Sequence, residues 1–164
     1  MMTFYDAMEE RYDACVKGWL RGAPYANPGI LQMYFRRNQS RPAPVPWYGE
    51  FSGKYLTSAA LAYAMDPDTE IRQAGDYVVE QLAAAQDADG YLGVWPDDQK
   101  LRGVTPNGDK TWDAWSHYHN MLGLRYWRRV TGSEAAGRVL EKAADCLYNF
   151  YVVQNHPIER MYRG

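Results

Sequence analysis

Cysteine is scarce in this chain of 164 residues: Cys15 and Cys146 stand far apart, with no Cys-x-x-Cys pair. That excludes a disulfide framework and a zinc ribbon, and it fits a reducing, cytoplasmic compartment. Both cysteines fall on apolar helical positions and are expected as buried thiols. An excess of either charge is lacking too. Lys and Arg number 18 against 20 Asp and Glu, a formal net charge of −2, so no basic field exists to hold nucleic acid or an anionic membrane. No apolar run approaches the ~20 residues that span a bilayer. The first turn carries Asp6, Glu9 and Glu10, not the basic-then-apolar order of a secretory leader. Aromatic side chains are what the chain has in plenty, at 15% of its residues. Four of the tryptophans (Trp47, Trp95, Trp112 and Trp115) fall in or beside expected loops, where core packing accounts for them poorly.

The length suits one domain, able to bury roughly 70% of its unfolded surface. Hydrophobic spacing predicts helices almost throughout. Residues 3–21 carry Phe4, Tyr5, Met8, Tyr12, Cys15, Val16, Trp19 and Leu20 as an i, i+3/i+4 stripe. A short helix is expected within 28–37. Ser40 to Pro46 alternates proline with other residues and must be extended, since a residue before proline is pushed out of the helical region. We read it as a strap that docks Trp47 and Tyr48. Helices are then expected over 51–65 and from Asp68 or Thr69, as cap, to about Gln86. Asp89-Gly90 makes a turn and 91–96 returns extended. A long polar connection fills 97–110, and such connections are usually functional or mobile. Helices 114–131 and 134–151 follow, with Gly132-Ser133 as break and cap, and 154–164 reads as a frayed tail.

The two long helix pairs repeat. Shifting the chain by the 63 positions that separate Glu50 from Asp113 also lays Lys54 on His117, Tyr55 on Tyr118, Leu61 on Leu124 and Tyr63 on Tyr126. Each unit is an αα-hairpin, with an inner helix of small and aromatic residues and an outer amphipathic one. The fold class expected is all-α, stacked hairpins forming part of an (α/α)6 toroid. Six such hairpins need about 350 residues on this period, and a short stack leaves a raw helical edge that neighbouring repeats normally cover. Residues 1–164 are therefore expected to be the N-terminal portion of a longer catalytic domain, with the missing part of the barrel as a partner.

Three motifs come in order: Trp47-x-Gly-Glu-Phe-x-Gly-Lys-Tyr-Leu56, Gln86-x-x-Asp-Gly-Tyr-Leu-Gly93 and Trp112-Asp-x-Trp-x-His-Tyr-x-x-x-x-Gly-Leu124. As a set they resemble the front half of the β-L-arabinofuranosidase group, glycoside hydrolase family 127, from about Tyr12 to Phe150. The resemblance implies an (α/α)6 barrel, usually followed by β-sandwich domains, that hydrolyses a terminal arabinofuranoside with retention. It implies a zinc-bound cysteine thiolate as nucleophile and a glutamate as general acid/base, both in the back half of the barrel. Neither matches a residue here. Cys15 and Cys146 lie in other segments, and no Glu-x-Cys or Cys-Cys occurs. The chain itself is thus expected to hold no cofactor, the zinc belonging to downstream residues, and to lack turnover alone. What carries over is His117, the histidine of the third motif, as a hydrogen-bonding partner of the sugar.

Read from the residues alone, six side chains are candidates for binding a glycoside or oligosaccharide: Glu50, Lys54, Trp95, Asp113, Trp115 and His117. Lys54 and His117 are expected to head neighbouring inner helices and look into one hollow. Each candidate has a plainer reading beside the functional one. His117 at a helix start can bond a neighbouring loop instead. Glu50 and Asp113 can be a glycosidase carboxylate pair, or can cap helices and pair locally, Glu50 with Lys54 at i+4. Trp95 and Trp115 can stack on a sugar face or pack between hairpins. His119, two positions beyond His117 and on another side of the helix, cannot share a small ligand or a metal with it. The rival to a hydrolase domain is a non-enzymatic helical-repeat module that binds carbohydrate or another partner.

Overall fold

Two αα-hairpins stand side by side in the computed structural model of the chain, which describes residues 4–39 and 47–158. The expected strap of 40–46 and the tail beyond Ile158 lie outside the described residues. Helix α1 (Phe4–Cys15) runs into a π-helical turn at Val16–Leu20, and the short helices α2 (Ala23–Ala26) and α3 (Gly29–Phe35) follow. A 3-10 turn, Tyr48–Glu50, leads into α4 (Phe51–Met65), which pairs with α5 (Thr69–Ala85). The second hairpin is α6 (Asp113–Thr131) with α7 (Glu134–Tyr148), extended by a π-helical turn at Asn149–Val153. No strand occurs among the described residues. The long connection between α5 and α6 holds a 3-10 turn at Asp97–Gln99 and a lone antiparallel bridge, Val104 to Lys110.

Local chemistry sets the hairpin corners. The Asp68 carboxylate accepts the Ile71 N–H at 2.8 Å and opens α5. Gly132, at φ 72°, closes α6 in the left-handed region, and the Ser133 hydroxyl accepts the Ala136 N–H to open α7. Both corners match the sequence expectation. So does the layering: α4 and α6 make the most extensive helix contact and form the inner layer, while α5 and α7 lie outside and touch each other.

Glycine makes the inner contact possible. A Cβ on Gly53 would sit 2.3 Å from the His119 carbonyl, and one on Gly123 would sit 2.4 Å from the Gly53 carbonyl. The two helices therefore pack backbone to backbone across this pair. Leu56, Ile71, Val78, Leu82, Leu124 and Trp127 close the core between the layers with no exposed surface. Trp127 lies over Gly75 and donates its indole N–H to Asp76 at 2.9 Å.

The N-terminal helix departs from expectation. Tyr5, Met8 and Trp19 are exposed, and among the described side chains of its apolar stripe only Val16 and Leu20 are fully buried. The helix meets the hairpins chiefly through its π-helical turn, helped by Tyr12, which is partly buried and donates its hydroxyl to the Ala62 carbonyl at 3.3 Å, while the earlier part of its stripe stays exposed. Cys15 is exposed as well, contrary to the buried thiol expected. Cys146 is buried under the α5–α6 connection, and burial pushes its thiol up to about 12.

Candidate functional site

The second hairpin opens on a buried polar knot. Asp113, the first residue of α6, is wholly enclosed. Its carboxylate accepts the Tyr91 hydroxyl at 2.9 Å and the Leu101 N–H at 2.8 Å, so it stitches two parts of the α5–α6 connection to the helix start. One turn on, His117 is equally enclosed. The Leu92 N–H donates to its Nε2 at 3.1 Å, which fixes the proton on Nδ1, and Nδ1 donates to the Asp113 carbonyl at 2.9 Å. Both ring nitrogens are therefore committed. Neither residue faces the hollow expected at this corner, because the long connection folds back over the first turn of α6 and needs partners for its buried N–H groups. Here His117 takes the loop-bonding reading, and Asp113 forms no carboxylate pair with Glu50.

Trp95 is also corrected. It is 4% exposed, packed in the core, with its backbone N–H donating to the Tyr91 oxygen, so it offers no ring to a sugar. Burial first, and then the Asp113 charge, hold the Tyr91 hydroxyl well above its ordinary value, which keeps it protonated as the donor to Asp113.

Two parts of this framework were not picked out from the sequence. Arg37 is buried and donates to the carbonyls of Gly93 and Ala85, at 3.0 and 2.7 Å, and to Asp87. Tyr34 donates to the Gly49 carbonyl at 2.8 Å and accepts from Asn120 at 3.0 Å, beside Ser52. Burial pushes its hydroxyl up to about 12. Asn120 had a legible signal: it lies three residues beyond His117 on the stripe that ends in Leu124 and Trp127, where a polar side chain must find partners. Arg37 had none, since Arg36-Arg37 reads as an ordinary pair of surface cations at a helix end.

The other corner is open. Glu50, at the end of the 3-10 turn, is 6% exposed and takes Lys54 on one oxygen at 2.5 Å and the Trp115 indole N–H on the other at 2.5 Å. Lys54 is thus the ion-pair partner expected at i+4, yet its side chain is 48% exposed and retains ammonium donors. Trp115 is 47% exposed although its N–H is tied down. Glu50 therefore holds a ring from the second hairpin and a cation from the first, and exposes little of itself. His119 lies edge-on to Trp115, at 4.8 Å between ring centres, with Nε2 at 3.9 Å from the second Glu50 oxygen and without a partner. Burial, and then the Lys54 charge, lower its pKa against the opposing pull of Glu50, so the ring is neutral at neutral pH.

Trp115 is one ring in a row. Trp47 lies 6.1 Å from Trp112, Trp112 6.4 Å from Trp115, and Trp115 5.7 Å from Tyr118. All four rings are exposed. A contiguous aromatic surface edged by a cation marks a recognition site more often than an accident of packing. Trp112 holds its place through a left-handed backbone, φ 49°, where the connection turns into α6. A tryptophan there is strained, and the sequence showed no sign of it.

Among the described residues, no three His, Cys, Asp or Glu side chains come together as metal ligands. The residues present do not fit a zinc site, and the binding chemistry below involves none. No helix among them is long and apolar enough to cross a membrane.

Residues 23–163 match the family model of the β-L-arabinofuranosidase GH127 catalytic domain. The chain belongs to that family. It is 33% identical over 102 residues to the non-reducing end β-L-arabinofuranosidase of Bifidobacterium longum subsp. longum, covering 57% of this chain and 15% of that protein. Its fold also superposes on that of a solved GH127 β-arabinofuranosidase, BT3674, with a TM-score of 0.64 and 17% identity, over 78% of this chain and 22% of the other. This GH127 chain thus spans about a fifth or less of the length of either relative. The likeness fixes its hairpins as part of an (α/α) toroid.

Proposed function

We propose that this chain is the sugar-recognising part of a GH127 glycoside hydrolase domain and that residues 1–164 do not turn substrate over on their own. The observation that carries the reading is the aromatic row Trp47–Trp112–Trp115–Tyr118 with Trp115 anchored on Glu50. The C–H face of a sugar ring is apolar and stacks on an exposed aromatic face, while its hydroxyls take hydrogen bonds from the side. Trp115 supplies the face and Lys54 the donors; Glu50 positions both. The ligand class is a neutral glycoside, with a terminal β-L-arabinofuranoside suggested by the family. Catalysis is left to residues outside this stretch, as the family resemblance implies.

The test is tryptophan fluorescence with methyl β-L-arabinofuranoside, beside an assay for p-nitrophenol release from the aryl glycoside. The expected result is a saturable change in fluorescence, abolished in Trp115→Ala with the helical circular dichroism unchanged, and no release. Robust release by residues 1–164, or a fluorescence change indifferent to Trp115, refutes the proposal.

A further inference from the structure

A second concavity opens on the far side of the Glu50–Lys54 pair, where the N-terminal helices meet α4. It has a volume of about 350 Å³ and is walled by Trp19 and Phe51, with Ile30 and Tyr55 deeper and Lys54 and Ser58 along the rim. Trp19 and Phe51 are both roughly half exposed, and Trp19 stands edge-on to the buried Tyr55 ring at 5.9 Å. Tyr55 cannot present its hydroxyl to a ligand, because it donates to the Leu20 carbonyl at 2.8 Å. Lys54 brings a charge already paired with Glu50, and only its spare ammonium donors remain. Asn27 adds one polar side chain, whose amide donates to the Ala23 carbonyl at 3.2 Å, so the space is mainly apolar, aromatic-walled and without unpaired charge. An apolar cavity of only about 150 Å³ accepts benzene, and small-ligand pockets begin near 300 Å³, so one substituted aromatic ring fits with room to spare.

We propose that this cleft is the seat of the aglycone, and that it selects glycosides whose leaving group is aromatic or otherwise apolar and uncharged. The inference rests on the sugar-platform reading above and deepens it. Its ground is continuity: Lys54 lines the cleft and, through one carboxylate, is joined to the Trp115 ring on which the sugar stacks. A glycoside spans such a boundary naturally, its polar ring on one side of the glycosidic oxygen and its apolar group on the other.

The experiment titrates residues 1–164 with methyl β-L-arabinofuranoside and with p-nitrophenyl β-L-arabinofuranoside, following tryptophan fluorescence and calorimetric heat. Burying one aromatic ring is expected to make the aryl glycoside bind about tenfold tighter than the methyl one. Trp19→Ala, and separately Ser58→Leu, which fills the cleft from an exposed helix position, are expected to erase that gain and leave methyl glycoside binding as it was. Ser58→Leu keeps the test sound if Trp19→Ala loosens the fold. Equal affinity for the two glycosides, or a gain that survives both variants, overturns the aglycone assignment while the sugar platform stands. Failure of both glycosides to bind overturns the platform and the cleft together.

Discussion

Replacing Gly53 with alanine probes the contact on which the site depends. The added carbon would sit 2.3 Å from the His119 carbonyl carbon and oxygen and 2.4 Å from the Asn120 nitrogen, where ordinary contact begins at 3.4 Å. All three atoms are backbone of α6, so no side chain can swing away, and α4 must withdraw by about 1 Å or tilt. Overpacking of a well-filled interior costs about 1–3 kcal/mol, and an obstacle made of backbone belongs at the upper end. Alanine returns up to about 1 kcal/mol through its better helix propensity, leaving a net loss near 2 kcal/mol. For a chain of this size that lowers Tm by about 4–8 °C. Urea unfolding followed by circular dichroism should show a reduced midpoint with an unchanged slope. Gly18→Ala is the control, because nothing lies within 4 Å of a Cβ there; it should be neutral or slightly stabilising. If Gly53→Ala behaves like Gly18→Ala, α4 and α6 do not approach as described. The same withdrawal pulls Glu50 from Trp115, so the indole fluorescence of the folded variant should also shift.

His117→Ala leaves the buried Leu92 N–H without an acceptor, which costs about 1–3 kcal/mol beyond the lost packing; amide exchange at Leu92 should accelerate far more than at Leu82. His119 tests the pH response. Its folded pKa lies below the unfolded value of about 6.5, so in between the unfolded chain binds the extra proton and stability rises with pH. The contribution is full above about pH 6.5 and is lost as pH falls through the folded pKa, so His119→Gln should flatten the unfolding midpoint against pH on the acid side of neutrality. The cysteines should separate in a thiol-labelling assay at pH 8: Cys15 reacts at once, whereas Cys146, buried with its thiol pushed up to about 12, reacts only on unfolding. Two fast thiols would contradict the packing under the connection.

Everything governed by neighbours in sequence was legible before the structure. Asp68, Gly132, Ser133 and the Asp89-Gly90 turn act through backbone groups two to four residues away, and each does what its residue type suggests. The repeat was legible because both hairpins must bury the same face. Direction was not. His117 and Trp115 stand two residues apart on one helix, and only the fold of a connection closed elsewhere decides that the first is buried on Leu92 while the second stays open. Trp95 misled for a related reason: an aromatic in a polar stretch is exposed only if the stretch stays outside, and Arg37 draws this one inward by holding the Gly93 carbonyl.

That difference explains why two carboxylates at the same place in the repeat do unlike work. Glu50 and Asp113 each enter an inner helix, and each gathers donors that its surroundings leave unpaired. Ahead of α6 the connection supplies those donors itself, the Tyr91 hydroxyl and the Leu101 N–H, so Asp113 is used up inside. At Glu50 the donors are side chains, Lys54 from its own helix and Trp115 from the next hairpin, so the carboxylate organises a surface across the seam between repeats. Exchanging the charge should show the asymmetry directly. Asp113→Asn keeps an acceptor but turns one oxygen into a donor among donors, and it should cost stability, by roughly 1–3 kcal/mol. Glu50→Gln, at a rim where Lys54 is half exposed, should cost little stability and instead free the Trp115 ring and weaken glycoside binding. If Glu50→Gln unfolds the chain and Asp113→Asn is silent, the two corners have been assigned the wrong way round.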